Sequence, residues 1–415
     1  MIILMQCTGS FVLTSTFWLE MMSQADRSNW SLERHMKSKI VSGVVTQVAL
    51  LACCGAAMAQ QTVKIGYAGP MTGPVAQIGK DSENGVRLAI DEANASNISI
   101  GGQPVRFELD SQDDMGDPKT ATTVAQKLVD DGVVGVVGHL NSGATLPASK
   151  IYSDAGVTEV SPASTNSLYT RQGFKTAYRV IGDDHDVVRV LVGYVLDKMH
   201  AKRIAVVDDR SAYGQSFSDD VIAQLKAKGI TPVDRQYVST QTIDFRSVLT
   251  ALKSNNPDVL IYAGVDAQAG PMRRQMVALG MSKTLIAGCA IETDKFVELA
   301  GGPANAEGNI SSESGFALDA MPKGKEFTQK FSKYGKPVLY SPYAYDATWA
   351  LIKAVQAANS VKRADLQPAL RKVSFDGVTG KISFDDRGDL QIARVTIFKV
   401  VDGHWKGVQS VSVAK

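Results

Sequence analysis

The stretch Gly132 to Pro147, GVVGVVGHLNSGATLP, limits the possible folds more than any other part of the chain. Val133, Val134, Val136 and Val137 lack the apolar/polar alternation of a half-exposed strand, so they fit a parallel strand buried on both faces. His139 to Gly143 then occupy the carboxyl end of that strand, ahead of a helix-compatible segment. Ligands bind at such ends in open α/β sheets, where the unpaired N–H groups of the next helix attract an anion. Ser142 adds a hydroxyl there. The same residues also read as an ordinary strand-to-helix turn, with Ser142 as its N-cap.

The rest of the chain repeats this rhythm. Strands are expected at 63–69 (VKIGYAG), 104–110 (PVRFELD) and 157–162 (VTEVSP), with helices through 84–95 and 145–156. Asp117 and Pro118 open another helix, with Asp117 as N-cap and Pro118 where its missing N–H costs nothing. Ala121, Val124, Ala125, Leu128 and Val129 follow at spacings that give one buried face. After Ala177 to Asp186 the pattern restarts, with strands at 203–209, 258–264 and 284–288 and helices ending near Lys228 and through 245–256 and 272–280. Such alternation predicts α/β architecture with parallel sheets. Helices at 325–335, 343–360 and 364–373, then β-rich 380–390 and 393–401, are expected to return and complete the two units. Gly388 suits a tight turn.

A chain of 415 residues, 44% hydrophobic and 21% charged, is long enough for two separate cores. Its 44 basic and 42 acidic residues form no long run of one sign, which argues against a nucleic-acid footprint. Residues 36–59 have the three parts of a secretory signal: Lys37 and Lys39, an apolar core from Ile40 to about Cys54, and Ala57-Met58-Ala59 before a cut at Gln60. That core is too short to span a membrane. Leu50-Leu51-Ala52-Cys53 also permits a lipoprotein anchored at Cys53. Residues 1–35 precede a complete signal with its own Met36 and stand outside the fold. Cys7, Cys53 and Cys54 leave with the signal, so the mature chain keeps Cys289 alone and forms no internal disulfide.

No nucleophile elbow, phosphate loop, dinucleotide fingerprint or zinc helix occurs. His35, His139, His185, His200 and His404 lack ligand spacing. His139 lies three residues from Ser142, as a base lies near a nucleophile, but a histidine leaving a buried strand is read first as a structural hydrogen bonder. Asp183-Asp184-His185-Asp186 reads as a solvated interdomain turn before it reads as a metal site. Polar turns do accumulate at strand ends: Ser142, Ala163-Ser164-Thr165, Tyr213 and Val265-Asp266. In a two-lobed α/β protein such ends face a shared cleft, where a small ligand binds.

Taken in order, VKIGYAGPMTGPVAQIGKDSENGVRLAIDEAN, DDMGDPKTA, GHLNSGATLPAS, SPASTN, AYGQSFSDD and GKISFDDRGDL, behind an export signal, resemble the periplasmic branched-chain amino acid binding proteins of ABC importers. The resemblance implies a type I periplasmic-binding fold: two doubly wound Rossmann-like lobes joined by a three-crossing hinge, with a ligand cleft between them. It places crossings near Ile181, Glu313 and Val378, with lobes at 60–181 plus 314–377 and 182–313 plus 378–415. It implies a monomeric, non-enzymatic periplasmic protein without cofactor or metal that hands an amino acid to permease and ATPase subunits. Ser142 and Thr165 would meet the ligand carboxylate, with Ser164 beside them, and Ala163 would offer its carbonyl to the ammonium. Tyr213 would close from the second lobe, and Ile78, Leu140, Asn141, Val265 and Tyr343 would line the side-chain pocket. Cys289 stands where relatives place an acid, leaving Glu292 or Asp266 to supply the counter-charge. Where relatives join the DDxxDPK loop to the GHL turn by a disulfide, this chain has Met115-Gly116 and Asn141. Leucine, isoleucine or valine is the default ligand; another amino acid, an amide or a small carboxylate competes, as does a sensing role.

Overall fold

The computed structural model describes residues 60–414. The first sheet is built from β1 (Gln61–Gly69), β2 (Ser99–Ile100), β3 (Gln103–Asp113), β4 (Gly135–Gly138), β5 (Thr158–Ser161) and β6 (Ala177–Arg179), in spatial order β2-β3-β1-β4-β5-β6. Every pairing is parallel except β2 with β3. The valine run therefore becomes an interior strand, with all of Gly135 to Gly138 buried. Helices α1 (Ala76–Ala95), α2 (Pro118–Asp130) and α3 (Ser142–Asp154) join these strands. Asp117 caps α2 by accepting the Thr120 N–H at 2.7 Å.

The chain leaves this sheet after Arg179 and begins a second unit with α4 (Asp184–Asp197), β7 (Ile204–Asp208), α5 (Ala212–Ala227), β8 (Asp234–Tyr237), α6 (Arg246–Ser254), β9 (Val259–Ala263), α7 (Asp266–Ala278), β10 (Leu285–Gly288), α8 (Asp294–Leu299), α9 (Pro303–Ala306) and β11 (Ile310–Ser314). It then returns with α10 (Gly324–Phe331), α11 (Ser341–Ala358) and α12 (Arg363–Leu370), a small antiparallel pair β12 (Ser374–Asp376) and β13 (Lys381–Ser383), and finally β14 (Ile392–Val401) and β15 (His404–Ala414). The second sheet runs β15-β14-β11-β10-β9-β7-β8, parallel from β8 to β11 and antiparallel at the β14–β15 edge.

Helices cover both faces of each sheet, as near-continuous hydrophobic strands require. In the first lobe Val63, Ile65 and Phe107 pack with Leu351, Ile352 and Leu366 of the returning helices, while Val136, Leu128 and Tyr152 fill the opposite face. In the second, Val206 and Ile261 meet Leu191 and Phe217, and the alternate residues Val207 and Leu260 meet Leu249 and Met272. Helix α11 packs so closely on α1 that a Cβ on Gly85 would lie 2.2 Å from the Ser341 carbonyl oxygen. Asp81 accepts the N–H groups of Val338, Leu339, Tyr340 and Ser341, fixing the entry to α11.

The last passage between lobes comes later than the expected Val378. Val378, Ile382, Phe384 and Leu390 all belong to the first-lobe core, and the chain joins the second sheet at Ile392. Gly388, at φ +97°, makes the turn that lets its carbonyl accept the Arg179 N–H. The strand Ile310–Ser314 and the edge strand His404–Ala414 also add to the expected set. The DDHD segment is not a solvated turn: Asp183 caps α4, and Asp183, Asp184 and Asp186 are buried while His185 is exposed. The expected signal at 36–59 and the extension 1–35 lie outside the described residues.

Candidate functional site

The carboxyl end of β4 leads directly into α3, whose first turn presents Ser142. His139 anchors this turn and takes no part in a nucleophile pair. Its ring is fully buried, with Nδ1 2.6 Å from Asp114 Oδ2 and Nε2 3.1 Å from the Tyr152 hydroxyl, and its N–H donates to Glu159. The turn after β5 is set by Ser161, whose hydroxyl donates to the His139 carbonyl and accepts the Ser164 N–H. Beneath it lies Arg179, fully buried and ion-paired to Asp389 at 2.8 Å. Its guanidinium donates to the carbonyls of Ser164 and Asn166 and to the Thr170 hydroxyl. The two turns thus form one rigid ledge, on which the Ser142 hydroxyl accepts the Asn166 N–H at 3.3 Å.

Above this ledge is a cavity of about 200 Å³ between the lobes. Ile78, Leu140, Asn141, Ser142, Ala163 and Thr165 line it from the first lobe, and Tyr213, Val265 and Cys289 from the second. Three expected site residues stand outside it. Ser164 is turned inward, its hydroxyl 3.3 Å from that of Ser142. Asp266 sits at the start of α7 and accepts the Thr293 hydroxyl at 2.7 Å. Tyr343 donates to the Ser314 carbonyl at 2.6 Å and, with Glu292 and Glu313, lines a neighbouring cavity of about 440 Å³. Tyr340 borders both cavities. Tyr340, Asp209 and Gln268 line the first cavity without having been singled out in the sequence. Each lies in a loop or first helical turn whose position only the tertiary fold defines.

The electrostatics of the site come from burial. The Cys289 thiol lies 3.5 Å from Glu313 Oε2, and burial keeps it well above its usual pKa, so it is a neutral group. Glu313 is itself raised to about 7 by burial, partly offset by the Ser311 hydroxyl and by N–H groups of the Ala290–Ile291 turn. Tyr213 reaches the Cys289 carbonyl at 3.4 Å. Behind the ledge lies Asp184, whose N–H donates to the Thr165 carbonyl at 2.8 Å. Its side chain is fully buried, with the hydroxyls of Thr165 and Ser216 close to it. Burial raises it to about 7, with the Thr165 hydroxyl and Arg179 acting in the opposite direction. Among the described residues no cluster of His, Cys, Asp and Glu is arranged to hold a metal.

Ser142, the helix-opening N–H groups and Thr165 on one lobe face Tyr213 on the other across a cavity with polar walls, the kind of place where small solutes bind. Known proteins share this architecture. A family described as periplasmic binding protein matches residues 62–404. The Leu/Ile/Val-binding protein homolog 1 of Brucella melitensis is 33% identical over 381 residues, covering 90% of this chain and all of the relative. The leucine-binding protein LivK of Thermotoga maritima superposes with a TM-score of 0.77 at 25% identity, over 84% of this chain and 98% of that one. LivJ of Streptococcus pneumoniae, solved in complex with isoleucine, gives 0.74 at 25% identity, over 86% and 100%. With two such lobes, the cleft between them and a relative matched along its entire length, the chain belongs to the periplasmic binding proteins, beside the Leu/Ile/Val-binding members.

Proposed function

We propose that the protein is the solute-binding component of an ABC importer, exported by cleavage near Ala59, which carries a small amino acid to permease and ATPase subunits. The observation that carries this reading is the interlobe cavity, with Ser142 and Thr165 on one wall and Tyr213 on the other. The ligand carboxylate meets the opening of α3 and the two hydroxyls, and the Ala163 carbonyl faces the ammonium. Leucine, isoleucine or valine is the default cargo, in keeping with the isoleucine held by LivJ. Other amino acids, amides and small carboxylates make up the rest of the test panel. At 100 times its Kd, the true ligand stabilises the fold by about 2.7 kcal/mol, which a thermal-shift screen resolves. A panel that leaves the melting temperature unmoved removes the transport reading.

Asp184 does not itself line the cavity; buried directly behind Thr165, which does, it supplies the counter-charge in this proposal in place of the acid missing at Cys289. With its pKa raised to about 7, free Asp184 keeps its proton at pH 6. An ammonium nearby favours the ionised form, so binding of a zwitterion at pH 6 expels that proton. Calorimetry at pH 6 in buffers of different ionisation enthalpy is expected to show proton release that vanishes at pH 9 and in Asp184→Asn. Equal release by wild type and variant would exclude Asp184 from the ammonium site.

A further inference from the structure

We propose that the Asn141 amide selects the side chain of the bound solute, and that the cargo is a small α-amino acid whose own side chain carries an amide or hydroxyl group. The inference rests on the solute-binding reading above and departs from its aliphatic default, keeping the amino-acid cargo but replacing the hydrocarbon side chain by a polar one of similar size. Asn141 is the N-cap of α3, a position where asparagine ordinarily turns its side chain back to accept an N–H of the first helical turn. Here it does not: the N–H groups of Ala144 and Thr145 bond instead to the Asn141 main-chain carbonyl. The freed side chain turns toward the Met115–Gly116 loop, where a Cβ on Gly116 would lie 3.1 Å from Oδ1. Oδ1 is buried there without a hydrogen-bond partner, and the residue lines the interlobe cavity.

An unpaired buried carbonyl oxygen is costly, and because Asn141 also lines the cavity, a small turn of its amide lets a polar group of the bound solute satisfy it. The walls around it agree. Gln241 and Gln268 face the cavity from the second lobe, with Gln268 almost fully buried and tied to the Thr240 carbonyl at 2.6 Å. Asp209 on the same side repels an acidic side chain. An amide carries both donors and an acceptor, so it pairs with a hydroxyl or a second amide, while a hydrocarbon of the same shape leaves it unsatisfied. Sites of that kind reject the apolar analogue far more strongly than an apolar pocket rejects an added hydroxyl.

The test is calorimetric titration of the mature protein with two near-isosteric pairs, threonine against valine and asparagine against leucine. Wild type is expected to prefer the polar member of at least one pair by roughly tenfold or more, and Asn141→Leu to abolish or invert that preference. Thermal unfolding of the variant confirms its fold, and the wild-type comparison stands without it. Valine and leucine binding as tightly as their polar partners, with Ser142→Ala weakening all four, overturns the side-chain assignment and leaves the amino-acid reading intact. If none of the four binds while a simple carboxylate does, the α-amino acid cargo fails and this assignment fails with it.

Discussion

Replacing Arg179 with methionine is expected to lower folding stability by about 3–5 kcal/mol, the usual cost of removing one partner from a buried ion pair. Arg179 and Asp389 are both fully buried and meet at 2.8 Å. The same guanidinium satisfies two main-chain carbonyls and a hydroxyl in the turn that carries Ala163 and Thr165. Methionine matches much of the arginine volume, so the loss reports the charge and the hydrogen bonds and not a large cavity. Urea unfolding followed by tryptophan fluorescence measures it, and a loss below about 1 kcal/mol would contradict the role given to this pair. Adding Asp389→Leu is expected to recover part of the stability, because an apolar pair outperforms an ion stranded in the interior. Ligand affinity should not recover with it, since the turn remains without its clamp.

The second large effect concerns the ledge itself. Ser142→Ala and Thr165→Ala are each expected to weaken a carboxylate ligand by about 1.5–3 kcal/mol, the range for hydrogen bonds to charged groups. Because the two residues share one ligand group, the double variant is expected to fall short of the sum. Titration calorimetry of the wild type, both single variants and the double variant gives the full cycle. Undiminished affinity in both single variants would show that the cavity is not where the solute binds.

The sequence revealed the fold wherever side-chain pattern and burial agree. The valine run before His139 announced a doubly buried strand, and Asp117-Pro118 announced a capped helix. It failed where polar residues are buried for other reasons. Ile310–Ser314, ISSES, is an interior strand whose five residues are all buried, yet four of them are polar. Those side chains bond to the chain passages nearby: Ser312 to the Val187 carbonyl, Ser314 to the Gly182 N–H, and Ser311 to Glu313. No periodic reading finds a strand of that composition. The DDHD segment misled in the same way, since acids that look solvated are consumed by a helix cap and by burial. Of the ledge, Ser142, Ala163 and Thr165 were legible as polar turns at strand ends. Tyr340 was not, because it comes to the cleft from a passage far along the chain.

The His139 arrangement bears on how the binding ledge is made. Asp114, in the loop after β3, is bound to His139, in the turn after β4, at 2.6 Å, and Tyr152 of α3 holds the other ring nitrogen. Here the tether is a hydrogen-bonded chain sealed from water, and Cys289, the single cysteine among the described residues, is buried away from it. No thiol has to be oxidised for the binding ledge to take shape. Formation of the ledge is therefore independent of any disulfide-forming catalyst.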